Sequence, residues 1–161
     1  MSLESIVETL LLPALTDEGV VLVTGDLVAV LSGHIESHQT APGLRQLSMT
    51  DIMAGASADF SPSQVLLVSD FRQGDQSNRT SVIRLLGYLR DRSLANILHL
   101  VINDLQKPEW PLTESLAMGF LRRGGTELNG QSWTLYAFNI KSYKPEPDWL
   151  NAKNWAHPHL W

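Results

Sequence analysis

The stretch QVLLVSDF, residues 64–71, decides how the chain is read. Val65, Leu66, Leu67 and Val68 follow one another with no polar residue between them, so a strand here has no solvent face. Such a run fits a parallel sheet covered by helices on both sides. Two similar runs flank it: GVVLVTGD at 19–26, with a glycine at its start and another near its end, and NILHLVI at 96–102. Between the second and third runs lie the polar loop RQGDQSN and then Val82, Ile83, Leu86 and Leu89, spaced to share one helix face opposite Arg84 and Arg90. Strand, helix and strand in that order predict a parallel crossover unit.

Working outward, Leu3, Ile6, Val7, Leu10 and Leu11 predict an amphipathic N-terminal helix that Ser2 caps and Pro13 stops. Residues 27–36 fit a helix with Leu27, Val28, Leu31 and Ile35 inward, although LVAVL also fits a continued strand. SHQTAPG is a loop, LRQLS (44–48) a short strand, and Asp51–Met53 the start of a small turn or helix ending near Gly55. Downstream, Pro111 suits the beginning of a short helix and Gly119 its end. FLRRGGTEL and SWTLYAFNI flank Asn129-Gly130, a strong signal for a two-residue hairpin turn. The expected fold is a Rossmann-like, three-layer α/β/α domain whose mainly parallel sheet ends in a C-terminal antiparallel hairpin. It spans residues 1–145, with a Trp-rich tail at 146–161.

The chain has 161 residues, enough for one domain with a substantial core. With 43% hydrophobic and 18% charged residues it reads as globular rather than disordered. A net charge of -5 argues against nucleic acid or an anionic membrane as the main partner. Cysteine is absent, which excludes disulfides, thiolate metal sites and a cysteine nucleophile. MSLESIVETLLLPAL lacks a basic n-region and is interrupted by Glu4, Ser5, Glu8 and Thr9, so neither a signal peptide nor a membrane span is expected. The expectation is a soluble, cytoplasmic protein.

Ligands of open α/β sheets sit beyond the carboxyl ends of the strands, here Gly25-Asp26, Asp70-Phe71-Arg72 and Asn103-Asp104. Each end carries an acid that could face a ligand or merely cap a turn. His34 and His38 share a helix face, but Glu36 does not follow the first histidine directly as a zinc-protease motif requires. His157 and His159 flank Pro158 without further ligands in view, so no metal is expected. His99, inside a buried run, reads as a satisfied core histidine. Ser69 lacks the glycines of a nucleophile elbow, and RRGGTELNG lacks the Gly-Lys-Ser/Thr of a phosphate loop.

Strand, helix, strand, a short helix ending in MGF and then LAMGFLRRGGTELNGQSWTLYAFNI (116–140) resembles the C-terminal half of class I S-adenosylmethionine-dependent methyltransferases. That resemblance, over residues 19–140, implies a cofactor pocket in which VTGD takes the place of the glycine-rich loop, MTDIM approaches the adenine and VSDF faces the methyl donor. It implicates Gly25, Asp26, Asp51 and Asp70. The chain departs from the pattern in offering a single glycine at the loop and in having about forty residues where two further strand–helix units are usual. One such unit is expected to be missing.

Trp133–Tyr136, Tyr143–Pro145 and Asp148–Ala152 are similar to elements of a family of small bacterial proteins of unknown function. The two resemblances together imply an uncharacterised, methyltransferase-like domain acting as a non-catalytic binding or interaction module, with no cofactor expected. The alternative is an S-adenosylmethionine-dependent methyltransferase of unknown substrate, so whether the protein is an enzyme stays open. The tail, PDWLNAKNWAHPHLW, carries Trp149, Trp155 and Trp161. Each aromatic offers about 150–250 Å² to bury, which predicts either a clasp on the domain or an interface with a partner, including a homodimer.

Overall fold

The computed structural model describes residues 2–15, 20–23, 26–38, 45–47, 52, 64–72, 76–92 and 96–140. Among these residues, six strands form one mixed sheet in the order β2-β1-β3-β4-β6-β5. They are β1 (Val20–Val23), β2 (Arg45–Leu47), β3 (Gln64–Asp70), β4 (Asn96–Asp104), β5 (Leu121–Leu128) and β6 (Gln131–Asn139). β2, β1, β3 and β4 are parallel, whereas β6 inserts antiparallel between β4 and β5. Pairing of β4 with β6 runs unbroken from Asn96↔Asn139 to Asp104↔Gln131. Asn129 (φ 51°) and Gly130 (φ 77°) turn the hairpin, a pair of positive φ values that explains the Asn-Gly sequence.

Alternation along β3 and β4 divides the core into two layers. Val65, Leu67, Ile97 and Val101 meet Val82, Leu85, Leu86 and Leu89 of the helix α3 (Gln76–Asp91), together with Phe71, Trp110, Phe120, Tyr136 and Phe138. Ile83 is only partly buried; Leu85 occupies the inward place that the spacing had given it. On the other face Leu66, Val68, Leu98, Leu100 and Ile102 pack on Ile6, Val7 and Leu11 of the N-terminal helical segment and on Leu31 and Ile35 of α2 (Asp26–His38). Residues 27–36 are therefore helical, not a strand continuation. Leu27, Leu31 and Ile35 at i, i+4 and i+8 bury one stripe, which a strand would have split between two faces.

The N-terminal segment begins at α1 (Leu3–Ile6), capped by Ser2 Oγ accepting from the Ser5 amide at 3.3 Å. It widens to a π turn at Val7–Leu11 and tightens to a 3₁₀ turn at Leu12–Ala14. Pro13 thus lies inside the last turn instead of ending the helix before it; its missing N–H loosens the ladder locally. The short α4 (Leu112–Ala117) follows Pro111 and ends at Gly119, whose φ of 84° is a left-handed helix stop. β5 bulges between Arg122 and Gly124. Among the described residues, no helix is long and apolar enough to cross a membrane.

Candidate functional site

The strand order changes direction between β1 and β3, which places the fold's natural ligand crevice at their carboxyl ends. Val23 lies opposite Leu67, so β3 runs three residues further, to Asp70. Gly25 and Asp51 lie outside the described residues; Asp26 opens α2, but its side chain lies outside them too.

Asp70 is held by the residue two places on. Its Oδ1 accepts from the Arg72 amide at 3.1 Å and from Arg72 Nε at 2.7 Å, while Nε and Nη2 of the same guanidinium reach Oδ2. This contact holds the Arg72 guanidinium above its ordinary range, chiefly through the hydrogen bond to Asp70. A carboxylate so engaged has little capacity left to accept from a ligand hydroxyl. Asp70 is the one member of the proposed set whose side chain is described, and both its carboxylate oxygens are taken up by Arg72.

The neighbouring strand end is closed in the same way. Asp104 Oδ1 accepts from the amides of Gln106 (2.7 Å) and Lys107 (3.3 Å), an Asx turn. Asn103 clamps the loop that follows: its Nδ2 donates to the Trp110 carbonyl at 2.9 Å and its Oδ1 accepts from the Trp110 amide at 3.0 Å. Trp110 is thereby folded back over the strand ends, stacked on Phe71 at 5.2 Å between ring centroids, with its Nε1 donating to Ser115 Oγ. Both rings are buried.

Beneath this lid His99 is fully buried, with Nε2 2.9 Å from Ser69 Oγ. Its ring meets Trp110 edge-on at 5.1 Å and lies near Phe120 and Tyr136. The expected satisfied core histidine is only half satisfied, because Nδ1 has no hydrogen-bond partner among the described residues. Burial pushes the imidazole down to about 3, so it is neutral at physiological pH. The Ser69–His99 contact has the geometry of a hydroxyl activated by a base, but Ser69 is itself buried, closed off from substrate.

His34 and His38 do not converge. His38 Nδ1 bonds the His34 carbonyl at 2.8 Å and its Nε2 meets Glu8 at 3.1 Å, contacts that raise its pKa, the carbonyl most of all. Among the described residues, no group of three or more histidine and acidic side chains could hold a metal. His157, His159, Trp149, Trp155 and Trp161 lie outside the described residues.

A groove of about 740 Å³ opens at the opposite end of the sheet, where β3 and β4 begin. Leu10 and Ala14 of the N-terminal segment form one wall, Leu98, Leu135 and Ala137 its apolar floor, and Gln64, Asn96, Asn139 and Arg123 contribute polar groups. Asn139 Nδ2 donates to Asn96 Oδ1 and Gln64 Nε2 to the Ala14 carbonyl. Gly124 lets the wall approach, since a Cβ there would lie 2.8 Å from Leu10 Cδ1.

Sequence reasoning found the strand ends but not their closure. The Asp-x-Arg and Asn-Asp spacings were the available signals, because short polar side chains after strands bond nearby backbone. The groove had no comparable signature, since it arises from how a helix crosses a hairpin far away in sequence.

Fold and sites together define a mixed α/β domain in which the carboxyl ends of β3 and β4 are closed by their own side chains. The chain belongs to the family of unknown function DUF6231, whose model matches residues 31–161. No curated protein matches the sequence. Among solved structures it is similar to "Putative methyltransferase yhhF from Escherichia coli", at 14% identity and a TM-score of 0.38. The alignment covers 76% of this chain and 63% of that one, so the chain spans less than two thirds of the length of that protein.

Proposed function

We propose that the protein is a non-catalytic binding module built on a reduced, methyltransferase-like sheet. The observation that carries this reading is the internal commitment of Asp70, Asn103 and Asp104, the polar side chains at the described strand ends. A working transferase site keeps such groups free for cofactor and substrate, and leaves room where Phe71 and Trp110 here stack on each other. No activity or cofactor is required by the arrangement.

The alternative, an S-adenosylmethionine-dependent methyltransferase using Gly25, Asp26, Asp51 and Asp70, is favoured by one observation. The described strands run β2-β1-β3-β4-β6-β5 with β6 antiparallel, an order that supports a methyltransferase-like reading. Isothermal titration of the intact chain with S-adenosylmethionine and S-adenosylhomocysteine separates the two. The module gives no heat at millimolar ligand; micromolar binding abolished by Asp51→Ala would overturn it.

A further inference from the structure

We propose that the groove at the amino ends of β3 and β4 is the seat of the chain's own C-terminal tail, with Trp149 in the groove and Asp148 against Arg123. The inference is independent of whether the strand ends bind a cofactor. Asn139 lines the groove and is the last residue of β6, so the following chain leaves from the groove's rim. Trp149 is ten residues on, within roughly 33–36 Å if extended, and Pro145 and Pro147 bias the connection towards an extended form with little entropy left to lose.

The chemistry of groove and tail is complementary. The floor of Leu98, Leu135 and Ala137 with the Leu10 wall offers an apolar slot in a groove of about 740 Å³, large enough for an indole and its neighbours. Arg123 lies on its rim, exposed, and has no ion-pair partner among the described residues. The tail brings Glu146 and Asp148 immediately before Trp149, so an aromatic anchor arrives with an acid beside it. An Arg–carboxylate contact at the edge of a desolvated tryptophan is a common pairing of anchor and rim. Of the three tail tryptophans, Trp149 is the one flanked by acid on its N-terminal side within reach of the rim.

The test is cleavage after Lys153 by a lysine-specific endopeptidase in the intact chain, followed by mass spectrometry, in wild type and three variants. Docking protects this bond, so Trp149→Ala is expected to speed cleavage at least about tenfold, as loss of an anchor worth 1.4 kcal/mol or more would. Arg123→Glu, which sets like charges together, is expected to speed it about fivefold, and Arg123→Glu combined with Asp148→Arg to return it to within about twofold of wild type. Rescue by the charge swap distinguishes a broken contact from a misfolded domain. Equal rates in all four proteins overturn the proposal, as does protection that rises with protein concentration, which would put the tail in the groove of a second copy.

Discussion

At the carboxyl ends of β3 and β4, Asp70, Asn103 and Asp104 each bond groups within seven residues of themselves. At the amino ends of the same strands, Gln64 and Asn96 reach across 50 and 43 residues, to Ala14 and Asn139. Local bonds close the first end under an aromatic lid, whereas long-range bonds at the second leave a groove between separate elements. The difference lies in what each end must do. After a parallel strand the chain has to turn away, and short polar side chains satisfy the turn's amides; before one, the ends are only as tightly packed as the helix laid across them. Among the described residues, the carboxyl ends of these two strands are thus covered while their amino ends open onto a groove.

The sharpest way to break that comparison is Trp110→Ala. If the carboxyl end is a solid lid, removing this buried ring opens a cavity beneath Phe71 and beside His99, at a cost of about 3–5 kcal/mol. Urea denaturation measures it. A loss below about 1 kcal/mol would mean that the loop is a loose surface feature, for surface substitutions typically fall in that range.

A second, smaller effect comes from His99. In the folded chain its imidazole is depressed to about 3 from 6.5, while the unfolded chain takes up a proton near 6.5. Below that pH the unfolded state binds more protons, so stability falls as pH drops from 6.5 towards 3, by up to about 1.4 kcal/mol per unit. Between pH 7 and pH 5 the loss is about 2 kcal/mol. The reference is the double variant Ser69→Ala/His99→Leu, which replaces both hydrogen-bonding partners by apolar groups and leaves carboxylate titrations in place. Urea stabilities that fall in parallel for the two proteins would place water or a counter-charge at His99.

Much of the scaffold was legible in the sequence, and for physical reasons. Val65–Val68 and the run around His99 carry no polar face, so their burial between two helical layers follows from composition alone. Asn129-Gly130 fixes the hairpin because both positions require positive φ. The helix at 27–36 was ambiguous because LVAVL also fits a continued strand, and the packing of Leu31 and Ile35 on β3 and β4 decides it. The site was less legible. Asp70 reads the same whether it faces a ligand or its own Arg72, and Asn103 gives no hint that it holds a tryptophan seven residues later. These contacts depend on the path of a loop, which local pattern does not encode.

The mildest test concerns Arg72. Its pair with Asp70 is about one third exposed on both sides, so solvent screens it, and Arg72→Ala is expected to cost only about 0.2–1 kcal/mol. The amide of residue 72 still bonds Asp70 Oδ1, and the Phe71–Trp110 stack does not depend on the guanidinium. Freeing the carboxylate therefore unlocks one acceptor without making a pocket, and S-adenosylmethionine is expected to give no heat on titration into the variant. Binding gained by Arg72→Ala would reverse the comparison between the two ends, because the carboxyl end would then be a ligand crevice capped by its own arginine.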